Sequence, residues 1–187
     1  MKKIYFVRHA ITDAHIGARK KSVLGFRDLG LNKKGIEDSY LIVDKLRGIH
    51  IDGILSSDYK SAIETTDILN TYFKVPVYYS DLLRERNQGE YQGRELKELY
   101  LENKEFSITT EGKGRESLRD FMDRTKEGFE FIVSSFPWET CIVVSHKGFL
   151  QTMMATCLKK KPTNWYLCEI RVAELVDGKW IYTSTIR

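Results

Sequence analysis

Two short apolar runs, each breaking off at a histidine, constrain this chain more than any other feature. Lys3–Val7 barely alternates, as a strand covered on both faces must not, and it stops at Arg8-His9. Cys141–Ser145 (CIVVS) has the same character and stops at His146. Gly53–Ser56 and Val75–Tyr79 predict two further short strands, and segments with helical periodicity separate them. Asn32 is placed to cap a helix running to about Arg47, with Ile36, Tyr40, Val43 and Leu46 on one face. Ser57 or Asp58 can cap the next, which carries Ala62, Thr66, Leu69 and Phe73. Leu82–Gly93 reads as a loop, Glu95–Tyr100 begins a helix, and polar Lys104–Arg115, with Gly112 and Gly114, is the least ordered stretch. Ser117 caps the longest helix, with Phe121, Thr125, Phe129, Ile132 and Phe136 in helical register, and Phe149–Leu158 predicts a last one. Glu169–Val176 and Lys179–Thr185 alternate about Asp177-Gly178, the signature of a type I′ hairpin. Strands alternating with helices predict a three-layer α/β/α sandwich on a mostly parallel sheet, the hairpin adding an antiparallel edge. With no repeat, linker or composition break, the 187 residues predict a single domain over 1–187.

Composition removes several function classes. Hydrophobic residues are 42% of the chain, enough for a sizeable core, yet no apolar run is long enough to cross a bilayer. The opening MKKIYFVRHA has two lysines before an apolar run of four residues, too short for a signal peptide. Cys141, Cys157 and Cys168 lack metal-ligand spacing and read as buried thiols of a cytoplasmic protein. A net charge of +4, spread along the chain, does not suit a nucleic-acid binder and favours a small anionic substrate.

The chemistry concentrates at the strand ends. In open α/β sheets the ligand crevice lies at the carboxyl ends of the strands, so His9 and His146 can face each other there. Ala10 and Gly148 close behind them would let backbone approach a ligand. A histidine after a strand is more often a surface or satisfied core residue. An Arg before one of this pair and Lys-Gly after the other point equally to a shared anion site. Glu85, between Arg84 and Arg86, reads by itself as half of a surface ion pair.

Six segments fall in the order of one family pattern. Phe6-Val7-Arg8-His9-Ala10 is similar to an Arg-His-Gly signature, with Thr12 where a threonine follows. Gly25–Gly35 resembles a Gly-x-x-Asp-x-Pro-Leu-Thr-x-x-Gly stretch, and Leu55-Ser56-Ser57-Asp58 a second-strand motif. Leu83–Arg86 with Gly89–Gly93 is similar to a loop bearing an acid, Gly114–Leu118 to the start of a long helix, and Val143–Gly148 to a second-histidine motif. Together the six resemble the histidine phosphatase superfamily, the phosphoglycerate-mutase-like proteins.

The resemblance implies a metal-independent phosphomonoesterase with no cofactor, acting on a small phosphorylated metabolite through a phosphohistidine. His9 would be the nucleophile. His146 would stabilise charge on the equatorial oxygens, and Glu85 would protonate the leaving alkoxide and then activate water. Arg8, His15, Ser61, Arg86 and Lys147 would form the substrate-binding set. Three of these depart from the family pattern: His15 stands for an asparagine, Ser61 for the second clamping arginine, and Lys147 for a glycine after the second histidine. Lys147 could restore the charge that Ser61 lacks. Two alternatives share the resemblance: a phosphoglycerate-mutase-type phosphoryl transfer, which the short stretch from Glu85 to His146 disfavours, and a catalytically impaired phosphoryl-ligand binder, supported by Ser61.

Overall fold

The computed structural model describes residues 1–16, 22–23, 29–104, 107, 109, 112–161 and 163–186. In chain order its elements are β1 (Lys3–Arg8), α1 (Lys33–Leu46), β2 (Gly53–Ser57), α2 (Lys60–Phe73), β3 (Val77–Ser80), α3 (Leu96–Glu102), α4 (Leu118–Ser134), β4 (Thr140–Ser145), α5 (Lys147–Thr156), β5 (Ile170–Val176) and β6 (Lys179–Ile186). The strands form one six-stranded sheet in the order β3-β2-β4-β1-β5-β6. β1, β2, β3 and β4 run parallel, with Arg8 opposite Ser145 at the end of the central pair. β5 and β6 join antiparallel beyond β1. The expected α/β class and its antiparallel edge are therefore both present.

The near-continuous apolar runs follow from burial on both faces. Alternate residues Ile4, Phe6, Leu55 and Val143 pack against Phe121, Phe129 and Ile132 of α4 and Phe149 and Met153 of α5. Tyr5, Val7, Ile54, Ile142 and Val144 pack on the other side against Ile42, Val43 and Leu46 of α1 and Ala62 and Leu69 of α2. At about 25 cal/mol per Å² of apolar surface, these two layers supply the main driving force for folding. Asp177 and Gly178 both have positive φ, 50° and 73°, as a type I′ turn requires.

Several local expectations need correction, each for a physical reason. Asn32 does cap α1, its side chain accepting from Gly35 N–H at 2.9 Å. The buried face, however, is Gly35, Ser39, Ile42, Val43 and Leu46, while Ile36 and Tyr40 are 45% and 51% exposed. Gly35 sets this rotation: a Cβ there would lie 2.1 Å from Ile11 O, so the helix docks on the loop after β1 through its glycine. β3 starts at Val77 because the Asn70 amide takes both the N–H and the C=O of Val75. Neither Ser57 nor Asp58 caps α2. Its N-cap is Tyr59, with Asp58 held by Arg84 Nε at 2.6 Å and Ser57 Oγ turned to His146. Ser61 is thus the second residue of α2. Lys147 and Gly148 open α5, two residues earlier than the periodicity suggests, because His146 is its N-cap. Cys141 and Cys168 are buried, whereas Cys157 is half-buried.

Candidate active site

β1, β2 and β4 are adjacent and parallel, so the residues just past their carboxyl ends converge. A cavity of about 470 Å³ opens there. Arg8, His9, His15, Ser61, Glu85, Arg86, His146 and Lys147, the whole set expected from the sequence, line it.

His9 extends the β1–β4 ladder, its N–H donating to Ser145 O at 3.0 Å, and its ring is buried. His9 Nδ1 lies 2.8 Å from Ala10 O. A carbonyl can only accept, so Nδ1 carries the proton and Nε2 keeps its lone pair. Burial, reinforced by His146, Arg8 and His15, pushes the ring pKa well below 6.5, so it is neutral near pH 7. The loop behind it is fixed where Ala10 N–H donates to Thr65 Oγ1 at 3.1 Å.

The His146 ring centroid stands 5.0 Å from that of His9. Its Nε2 meets Ser57 Oγ at 2.8 Å, and the Tyr59 ring lies against it edge-on. Burial, then the Arg8 charge, lowers its pKa to about 3. Ring centroids of His15 and His9 are 5.4 Å apart. His15 Nε2 contacts Arg8 Nη2 at 3.2 Å, and its Nδ1 contacts Thr12 Oγ1 at 3.0 Å. His15 thus lies between the Arg8 guanidinium at Nε2 and Thr12 at Nδ1, where the Thr12 N–H donates at 3.3 Å. Burial and Arg8 lower the His15 pKa to about 4. Arg8 also donates from Nη1 to Trp165 O at 2.8 Å, and burial draws it down to about 10 against the opposing pull of Glu85.

Glu85 sits at the N-terminus of α5. Its carboxylate accepts from Gly148 N–H at 2.7 Å and from Arg86 N–H at 2.9 Å, which fixes both oxygens. A Cβ at residue 148 would lie 2.1 Å from Glu85 Oε1, so only glycine lets the helix end approach the acid this closely. Arg124 secures the loop from the other side. It donates to Leu82 O and Arg84 O, each at 3.0 Å, and to Glu85 O at 3.3 Å, while paired with Glu116. Arg86 is buried, its Nε donating to Glu116 O at 2.8 Å.

A family model described as the histidine phosphatase superfamily (branch 1) matches residues 4–184. The chain belongs to this family. A broad-specificity phosphatase of Saccharomyces cerevisiae is 33% identical over 101 residues, 51% of this chain and 43% of the yeast protein's own length. The uncharacterized phosphatase PhoE of Bacillus subtilis is 24% identical over 157 residues, 82% of this chain and 76% of its own. Among solved structures, Bacillus stearothermophilus YhfR superposes with a TM-score of 0.86 at 22% identity, covering 97% of this chain and 95% of that one. A mycobacterial glucosyl-3-phosphoglycerate phosphatase in complex with VO3 gives 0.82 at 21% identity, covering 98% of each. These structural likenesses establish the fold.

The departures from the histidine phosphatase pattern lie inside this cavity. Ser61 is 6% exposed and lines it, so no side chain of α2 brings a cation to that spot. Lys147 lines the cavity from α5 and makes no ion pair with a described residue. Lys60, the other nearby lysine, leans to Glu64 at 3.9 Å. Parts of Lys104–Arg115 fall outside the described residues, as do 25–28 of the Gly25–Gly35 stretch. Sequence reasoning missed Ser57, Thr65, Trp165 and Arg124. Ser57 carries a signal, its place at a strand end, but its hydroxyl suits a helix cap equally well in the sequence, and only the fold turns it to His146. Trp165 acts through a backbone carbonyl and carried no signal.

Proposed function

We propose that this chain is a phosphomonoesterase that hydrolyses a small phosphorylated metabolite through a phosphohistidine on His9. The observation that carries this reading is His9 itself: neutral, buried, with Nδ1–H spent on Ala10 O and Nε2 left as a nucleophile. In the first step the Nε2 lone pair forms the N–P bond, the ester P–O bond breaks, and Glu85 transfers its proton to the departing alkoxide. In the second, Glu85 takes a proton from water, whose oxygen attacks phosphorus and returns Nε2 to the lone-pair form. Arg8 and Lys147 neutralise the phosphoryl oxygens, and His146 offers a further donor beside His9. The alcohol product leaves after the first step and inorganic phosphate after the second.

The test is turnover of p-nitrophenyl phosphate in EDTA, together with labelling by a phosphoryl donor. Wild type should release phosphate and carry an acid-labile, base-stable label, and His9→Ala should lose both while keeping its circular dichroism spectrum. Substantial turnover by a folded His9→Ala protein, or a label stable to acid on serine, would overturn the reading.

A further inference from the structure

Arg8 enters the pocket from a strand end, so what holds its guanidinium decides how it meets an anion. Nη1 donates to Trp165 O at 2.8 Å, and Nη2 lies 3.2 Å from His15 Nε2. The first of these holds is a single backbone carbonyl, outside any helix or strand and flanked by exposed Asn164 and Tyr166. It is fixed from behind. Trp165 is fully buried, its Nε1–H donates to Glu169 O at 3.1 Å, and the Arg171 guanidinium lies over its ring, 4.2 Å from the centroid. The same guanidinium donates from Nη2 to Asn164 O and from Nε to Glu169 Oε1, each at 2.6 Å. Both side chains of this ion pair are buried, Arg171 at 7% exposure and Glu169 at 2%. Desolvating two charges offsets most of their attraction, so such a pair adds little net stability. Its planar fork instead fixes, from three sides, the residue whose carbonyl receives Arg8.

We propose that Arg171, paired with Glu169 and laid on Trp165, is a positioning residue for Arg8, and that it sets how tightly the pocket holds a phosphoryl-like anion. The inference rests on the phosphomonoesterase reading above for the role of Arg8, but anion binding can be read without turnover. Arg171 does not line the cavity, so its effect passes through the Trp165 carbonyl to Arg8. An anion contact made by a charged donor is worth about tenfold or more in binding, and a guanidinium no longer held in line should lose about tenfold.

The experiment measures orthovanadate binding by calorimetry, with thermal melts, for wild type, for Glu169→Leu combined with Arg171→Met, and for Arg171→Lys. The apolar pair removes one charge of each sign, so the net charge around Arg8 is unchanged and the comparison reads geometry. It should melt close to wild type, because apolar side chains of similar size replace a buried ion pair at little cost, yet bind vanadate about tenfold more weakly. Arg171→Lys keeps the ion pair without the flat fork and should fall between the two. In an Arg8→Gln background the same replacements should change vanadate binding by less than about twofold, since the group they position is gone. A merely structural role would carry the full loss into that background. Wild-type affinity in either folded variant, or an undiminished loss in the Arg8→Gln background, would overturn the positioning role and leave the phosphomonoesterase reading standing. If the apolar pair does not fold, Arg171→Lys with and without Arg8→Gln decides by the same two outcomes. A vanadate loss that passes through Arg8, in a protein that turns over neither p-nitrophenyl nor alkyl phosphates, would support the positioning role and overturn the phosphomonoesterase reading.

Discussion

Replacing Ser61 by arginine should tighten binding of a phosphate-like anion and weaken the empty fold. Position 61 is the second residue of α2, buried, with its side chain on the cavity that holds His9 and His146. With anion bound, serine offers one neutral hydrogen bond worth about 1 kcal/mol, whereas a guanidinium offers charge-assisted bonds of roughly 1.5–3. The difference is about 1.4 kcal/mol, or tenfold. Without anion the sign reverses. Burial draws Arg8 from 12.5 to about 10 in the same cavity, and at about 1.4 kcal/mol per decade a second guanidinium costs up to about 3 kcal/mol. For a chain of this size that lowers Tm by several degrees, at about 2–4 °C per kcal/mol. Vanadate inhibition and thermal melts, with and without vanadate, should be measured for wild type, Ser61→Arg, Lys147→Gln and the double variant. Ser61→Arg should inhibit at about tenfold lower vanadate and melt earlier when empty. Lys147→Gln should need more vanadate, and the arginine should gain most in that background. Unchanged or weaker inhibition by Ser61→Arg in both backgrounds would refute the argument, since neither position would then face the anion.

Three further outcomes follow from the same geometry. Glu85→Gln should slow hydrolysis of alkyl phosphates by about 10²–10⁴ and of p-nitrophenyl phosphate much less, because only a poor leaving group needs its proton; equal losses on both would make Glu85 structural. Gly148→Ala should act like a mild Glu85 variant, since the new methyl would displace Glu85 Oε1 from 2.1 Å; full activity on alkyl phosphates would show that the carboxylate position is not critical. His9, His15 and His146 all titrate below 6.5, the last two at about 4 and about 3, so the unfolded chain binds more protons than the native one in mildly acidic solution. Stability should be full above about pH 7 and fall as pH drops from about 6.5 towards 4, by roughly 1 kcal/mol per histidine at pH 5.5; a urea midpoint that is flat or rises over that range would contradict neutral, buried rings.

The layers and the site were legible in the sequence to different depths. Strands buried on both faces show as unbroken apolar runs, so β1 and β4 and the histidines at their ends could be read directly. The hairpin was equally plain, because a type I′ turn needs positive φ at two residues and Asp-Gly supplies it cheaply. Helix rotation was harder. Ile36 and Tyr40 sit at helical spacing, yet Gly35 and Ser39 face inward, because close packing on Ile11 favours the residues with least bulk, a tertiary effect that periodicity does not record. Caps failed for a related reason: Ser57 and Asp58 have capping side chains, but His146 and Arg84 compete for them across the fold. Glu85 was unreadable without the resemblance, since what sets it apart is a backbone N–H sixty-three residues further along.

On the proposed phosphatase reading, the three residues His146-Lys147-Gly148 would let the pocket keep a cation without an arginine at position 61. β2 and β4 are parallel neighbours, Ser56 lying opposite Val144, so the turns that follow them open on one crevice. Position 61 follows the first of these strands and position 147 the second. A cation can therefore reach the crevice from either turn with little change in the fold. Delivering it from the second turn places it between a histidine that stands 5.0 Å from His9 and a glycine whose N–H holds Glu85 at 2.7 Å. One tripeptide then presents a ring, a charge and the N–H that holds Glu85, all at the N-terminus of α5. The cost is specificity of geometry: a lysine ammonium is a single mobile point charge, where an arginine fork would fix two oxygens at once. On the proposed reading, Arg8, held by Trp165 O and His15, would orient the phosphoryl group, and Lys147 would balance its charge.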